Sequence, residues 1–405
     1  MRFKILSLMI VLICGQLFAG STFSFHDTPE RQFGYDAYSA GMGYSGSGDL
    51  FRVNSSLVNP ALMASTGSVV FSGSASFGNI KYKDSTGNSF DGDGFVIPQF
   101  NVIIPVKQQR FGFGVSYWGG GNFEHYSRKS ISVGGDDVYY DAINKIESSI
   151  NTAHLSWALK TSIVNIGLGA NYYIGQHIRY YKNDFESTSY IDAVYETAEF
   201  MSKPGFTIGL SKKLGNLSMA VAFASETTLE GNSNFNTVFS RDSLKNSEMT
   251  LPSHINAGIA WRISPQFKTT ADFHYETWSS IDNYDNDTWQ IGGGASYDPQ
   301  WGQNRWYKRI PLRTGAYMRQ LPLEMNNSKV YEQGVTFGMS IPLKTPGKHV
   351  YVACNLFSRG DADKHGIQDT GMFFTVGTVG FDIFKPRIRR TNPRDIPSSD
   401  NKGIN

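Results

Sequence analysis

Four groupings of residues in this 405-residue chain have types and spacings that could do chemistry. His154 and Ser156 are two positions apart, so on an extended strand they share a face. Serine-mediated ester hydrolysis needs such a pair together with an orienting polar group. Asp361, Asp363, His365 and Asp369 surround Gly366 in the manner of an oxygen-rich calcium turn. Ser39–Asp49, SAGMGYSGSGD, is rich enough in glycine for a phosphate loop. Lys160, Lys268 and Arg313 are cations set within stretches of alternating polarity, where each could hold a carboxylate.

Most of these readings weaken on inspection. The glycine run lacks the Lys-Ser/Thr that must follow it, and no strand–helix pair flanks it. The Asp361–Asp369 stretch reads more simply as a solvated turn, so neither a metal nor another cofactor is expected. His154 and Ser156 would be ordinary neighbours on any polar strand face, so no enzyme is expected. The three cations have inward Asp272 and Glu276 as nearer partners than any ligand, and both pairings stay open.

The elements that must position these residues are strands. Leu251–Asp282 alternates with period two on either side of Ser264-Pro265-Gln266. Ile255, Ala257, Ile259 and Trp261 oppose His254, Asn256, Gly258 and Ala260, and the pattern resumes with Phe267, Thr269, Ala271, Phe273 and Tyr275 against Lys268, Thr270, Asp272, His274 and Glu276. This is a hairpin with one apolar and one small or charged face. A sandwich core would not tolerate the second face; a watery barrel interior would.

About fourteen such strands follow Val69, near 69–80, 96–106, 110–118, 152–162, 164–176, 203–213, 216–226, 252–263, 267–277, 287–297, 310–319, 332–343, 348–357 and 371–384. Their connections alternate between long and short, with Asp298–Arg309 the exception. Lys81–Phe95, Gly119–Asn151, His177–Ser202 and Thr227–Leu251 are among the long ones, which places long loops at one end and tight turns at the other, the habit of an outer-membrane barrel. Tyr117, Trp118, Trp261, Tyr275, Trp278, Trp289, Phe381 and Phe384 are expected to form the interfacial girdle.

Composition agrees with this class. Aromatic residues make up 14%, glycine numbers 42, and the apolar fraction is 40%. A mean hydropathy of −0.30 excludes a bundle of membrane helices. Arg2, Lys4, the apolar run Ile5–Phe18 and the small exit at Ala19-Gly20-Ser21 read as a secretory signal. Its removal takes Lys+Arg from 37 to 35, equal to Asp+Glu at 35, which argues against a nucleic-acid partner. It also leaves Cys354 alone, with no intrachain disulfide to form. The expected organisation is a signal peptide at 1–20, an irregular N-terminal segment at 21–68, an all-β transmembrane barrel at 69–384 and a polar periplasmic tail at 385–405.

At three places the chain resembles the FadL-type family of outer-membrane long-chain fatty acid and hydrocarbon transporters. Ser39–Gly48 followed by Asn59-Pro60-Ala61 is similar to that family's plug. Leu251-Pro252, Gly258-Ile259-Ala260-Trp261-Arg262, Ala271-Asp272 and Thr277-Trp278-Ser279 resemble its most recognisable hairpin. Pro311-Leu312-Arg313-Thr314-Gly315, Pro322 and Gly334–Gly338 are like its penultimate strands. The resemblance implies a monomeric fourteen-stranded barrel in the bacterial outer membrane, in contact with its lipid and lipopolysaccharide and closed by an N-terminal plug. It also implies passive uptake of a hydrophobic small molecule, a fatty acid or hydrocarbon, with lateral exit through a gap beside a kinked strand. Gly41, Gly43, Asn59, Pro60 and Ala61 become plug and gating positions, and Lys160, Lys268 and Arg313 lumen candidates. Pro98, Gly112 and Gly114 mark where a kink would fall. The external stretches Gly119–Asn151 and Thr227–Leu251 depart from the family in being polar. A non-transporting structural or adhesive barrel is the alternative, and a general porin is disfavoured by the plug.

Overall fold

The computed structural model describes residues 36–382, with Ser21, Phe23 and Glu30–Arg31 before them and gaps at 54–56, 135, 188, 283, 285, 300–305 and 344–348. The expected signal peptide, periplasmic tail and Phe384 lie outside the described residues. Fourteen antiparallel strands form one closed sheet. They are β1 Val70–Asp84, β2 Ser89–Val106, β3 Gln109–Val133, β4 Asp136–Leu159, β5 Asn165–Phe185 and β6 Ala193–Leu214. Next come β7, in two pieces Leu217–Ala224 and Thr227–Thr237, and β8, in two pieces Arg241–Leu251 and His254–Arg262. The last six are β9 Phe267–Glu276, β10 Thr288–Tyr297, β11 Leu312–Met325, β12 Ser328–Pro342, β13 His349–Asp361 and β14 Ile367–Asp382. Pairing of β14 with β1 closes the ring. Closure leaves the membrane-level backbone almost without edges, as lipid requires.

The β8–β9 hairpin realises the alternation read from its sequence. Ile255 faces Tyr275 and Ala257 faces Phe273 on one side, while His254 faces Glu276 and Gly258 faces Asp272 on the other. Ile255, Ile259 and Phe273 are 44%, 50% and 42% exposed, as an outer apolar belt must be, whereas Asp272 and Glu276 are buried. At the turn, Ser264 Oγ accepts from the Phe267 and Gln266 amides at 3.1 and 3.3 Å.

The expected girdle needs correcting. Trp261 is exposed, but Tyr117, Trp118 and Trp278 are buried inside. Trp118 and Trp278 lie two positions beyond inward-facing Ser116 and Glu276, so period two itself turns them inward, whereas Tyr117 departs from the alternation at the register shift between Tyr117 and Gly119.

The external loops also differ from expectation. Most of Gly119–Asn151, His177–Ser202 and Thr227–Leu251 is strand, not loop: β3 and β4 run for 25 and 24 residues. Cross-strand pairing continues from Gly121–Ser148 to Val133–Asp136, roughly 40 Å at about 3.3 Å per residue. Six strands, β3 to β8, therefore stand as a sheet above one side of the barrel. Their polarity concealed them, because strands with water on both faces lose the apolar alternation.

Candidate functional site: the plugged lumen and the split in its wall

The N-terminal segment crosses the lumen. A short helix, Ala37–Ala40, is capped by Asp36, whose side chain accepts from the Ser39 amide at 2.7 Å. A 3-10 turn, Pro60–Ser65, is capped by Asn59, which accepts from the Ala61 amide at 3.0 Å and donates to the Val221 carbonyl at 3.1 Å. Pro60 at the first helical position loses no hydrogen bond there. Polar groups of the wall complete the fit. Asp272 Oδ2 accepts the Gly46 and Ser47 amides at 2.9 and 2.8 Å, and Thr336 Oγ1 accepts the Gly43 amide at 2.8 Å.

Backbone meets backbone at these points. A Cβ on Gly315 would lie 2.2 Å from the Gly43 nitrogen, and one on Gly209 2.0 Å from Asn59 Oδ1. Gly43 itself has φ +67°, which favours glycine. Gly41, Gly43, Asn59, Pro60 and Ala61 thus all sit at plug–wall contacts.

The three cations have different fates. Lys268 Nζ donates to Asp49 Oδ2 of the plug at 2.6 Å. Arg313 lies 4.1 Å from the Tyr38 ring centre, and Arg52 lies 4.2 Å from the same ring. Asp298, the ion partner of Arg313, is 3.8 Å away and half exposed. Lys160 is exposed beyond the end of β4, away from the other two. Its facing could not be read correctly because the strand stops one residue before it.

Towards the outside, Arg31 pairs with Glu276, and Trp278 Nε1 donates to Glu276 Oε2 at 2.8 Å. Glu332 accepts from Arg319 and Arg359 at 2.7 Å each and from the Tyr317 hydroxyl at 2.8 Å. Arg359 reaches Ser21 Oγ at 2.6 Å, which in turn donates to Asp369 at 2.7 Å. Such buried pairs hold geometry more than they add stability, because desolvation opposes them. Between them lies a void of about 50 Å³ lined by Arg31, Tyr44, Gln290, Tyr317, Arg319 and Glu332, among others. It has room for a water or two and no acyl chain.

Beyond Arg31, which lies 5.3 Å from the Trp118 ring centre, the lumen becomes apolar. Trp118, Ile150, Tyr173, Met201, Leu229, Leu251 and Trp278 form one buried cluster, with Met249, Ile281 and Tyr284 packed against it. Beside it the wall divides. β2 pairs with β3 only from Gln99–Ser116 to Val106–Gln109. Above Gln99, β2 continues with β1, and β3 continues with β4. Between the parted strands, among the described residues, only Gly119 and Gly120 gain a partner, from Arg31 and Glu30 of the plug. Pro98, with no N–H to donate, stands at the point of parting, and the β3–β4 register shifts between Tyr117 and Gly119.

His154 turns away from Ser156. Its Nε2 is 2.8 Å from Ser116 Oγ and its Nδ1 2.9 Å from Asn171 Oδ1. Sequence reasoning missed this grouping because its members come from three strands whose register only pairing reveals. In the Asp361–Asp369 stretch, Asp361 caps the short helix Ala362–His365, accepting from the Asp363 amide at 3.0 Å. Among the described residues no group of three or more His, Cys, Asp or Glu is placed to hold a metal.

A closed fourteen-stranded barrel with an apolar outer belt and a plugged polar lumen has the fold of the FadL-type outer-membrane barrels. A Pseudomonas aeruginosa FadL homologue matches with a TM-score of 0.62 at 14% identity, over 88% of this chain and 100% of that one. The Pseudomonas putida toluene transporter TodX matches with 0.60 at 16%, over 87% and 99%. The Ralstonia pickettii toluene transporter TbuX gives 0.57 at 14%, over 86% and 98%. At these identities the likeness is one of fold. The chain matches the BamG family over residues 1–382 and belongs to it. No curated protein matches the sequence.

Proposed function

We propose that the barrel passes hydrophobic small molecules from outside the cell into the membrane by a lateral route. The apolar cluster around Trp118 and Leu229, lying beside the split between β2 and β3, carries this reading. An apolar solute gains by leaving water, so a greasy site that opens sideways towards lipid avoids a polar channel. The plug strand at Gly119–Gly120 then acts as the latch of the split. Fatty acids and aromatic hydrocarbons both suit the cluster. The similar structures named above, two of them toluene transporters, favour the same class.

Uptake of a fluorescent fatty acid and of radiolabelled toluene by cells with and without the protein tests the reading. Equal uptake of both, with no ligand co-purifying, sinks it. A second reading, a closed barrel that serves as a structural element, draws on the small polar void and the ion-paired plug. Equal uptake together with an unchanged, closed conductance is the result that favours it.

A further inference from the structure

Ser116, His154 and Asn171 stand on the inner faces of β3, β4 and β5. Ser116 Oγ is 2.8 Å from His154 Nε2, and His154 Nδ1 is 2.9 Å from Asn171 Oδ1. Asn171 Nδ2 donates to Thr207 Oγ1 at 2.7 Å, which turns its carbonyl oxygen towards the imidazole. That oxygen can only accept, so the imidazole proton belongs on Nδ1, and Nε2 is left to accept from the serine hydroxyl.

Three further observations surround the group. Gln99 pairs directly with Ser116 across β2 and β3, is 1% exposed, and has no hydrogen-bond partner among the described residues for its side-chain oxygen or nitrogen. A buried amide without a partner beside a serine has a free N–H to offer an oxyanion. Next along the same strands come Trp118, Ile150 and Tyr173 of the apolar cluster. The Gln99–Ser116 pair is also the last rung before β2 and β3 part, so the serine lies at the apex of the split.

We infer that this is a hydrolytic centre for esters of long acyl chains, a function that goes beyond transport and does not rest on it. Ser116 is the catalytic nucleophile, His154 the base and acid, Gln99 the oxyanion donor and Asn171 a positioning residue. Ser116 Oγ forms a bond to the ester carbonyl carbon as its proton passes to His154 Nε2. The carbon–oxygen bond to the leaving alcohol then breaks, and the alcohol departs with that proton. Water, deprotonated by the same nitrogen, cleaves the acyl-serine to release the fatty acid and restore the hydroxyl. The acyl chain lies among Trp118, Ile150 and Tyr173 during both steps.

The test uses the full chain purified in detergent. Treatment with a hexadecyl fluorophosphonate should leave one adduct, placed on Ser116 by tandem mass spectrometry. Hydrolysis of p-nitrophenyl palmitate should fall at least ~100-fold in Ser116→Ala and His154→Gln, and stay unchanged in Ser156→Ala. Asn171→Ala should lower kcat about tenfold without changing KM, and Asn171→Asp should restore it. A folded barrel left unlabelled at Ser116 overturns the inference, as does wild-type hydrolysis by Ser116→Ala. Should that variant fail to insert, labelling of the unaltered protein decides alone. Lipid uptake unchanged in Ser116→Ala separates this centre from the transport reading.

Discussion

The two sides of the lumen do opposite things with the same architecture. On the side of β9 to β14 Asp272, Thr336 and Lys268 fasten the plug and glycines let its backbone touch the wall, and Asn59 adds a bond to the Val221 carbonyl of β7. Across from it, β3 to β8 carry the apolar cluster, the parted strands and the tall external sheet. Polar contacts require fixed geometry, whereas apolar ones tolerate sliding. A barrel that must keep a stopper while allowing passage would separate them in this way.

The comparison can be broken most forcefully by removing the plug. Deleting Ser39–Ala64 should leave an inserted barrel that conducts in planar bilayers, where the intact protein stays closed. A closed deletion variant would mean that this segment does not occlude the lumen.

Next in size is the fastened side itself. Glu332→Ala strands the buried guanidinium groups of Arg319 and Arg359 and should cost about 3–5 kcal/mol in urea unfolding from liposomes. A loss below ~1 kcal/mol would show that water already screens the pairs.

The apolar side should respond differently. Leu229→Ala in the buried cluster should cost roughly 2–4 kcal/mol and lower hydrocarbon uptake while leaving conductance closed. If conductance opens instead, the cluster and the plug are not separate devices.

The smallest effect belongs to the external turn after β1. Thr86 and Asn88 donate to Asp84 and hold its carboxyl below the usual carboxylate range. A depressed value means that the stabilisation is complete above the unfolded-state value and fades as pH falls through the lower, folded one. The protection factors of the Thr86 and Asn88 amides, exchange rates corrected for their intrinsic pH dependence, should therefore fall only in acid, below about pH 4, and be independent of pH in Asp84→Asn.

Much of the fold could be read from period two alone. Strands facing lipid on one side and water on the other write alternation into the chain, and Leu251–Asp282 carries it without a break except at the turn. The plug contacts of Gly43 and Asn59 were legible only through resemblance, since nothing local distinguishes a glycine that meets a wall from one in a loop. Three kinds of feature were not legible. The outer halves of β3 to β6 have water on both faces and no alternation to detect. Tyr117 is buried against the alternation at a register shift. The Ser116–His154–Asn171 grouping depends on cross-strand register.

By itself, the sequence determined the strand period, the barrel class and the inward placement of Lys268, Asp272 and Glu276, because each follows from which neighbours a residue has two positions away. Tertiary structure decided where the wall parts, which serine His154 meets and what fills the lumen. Those depend on the register between strands and on backbone approaching backbone, and no single stretch of chain contains either.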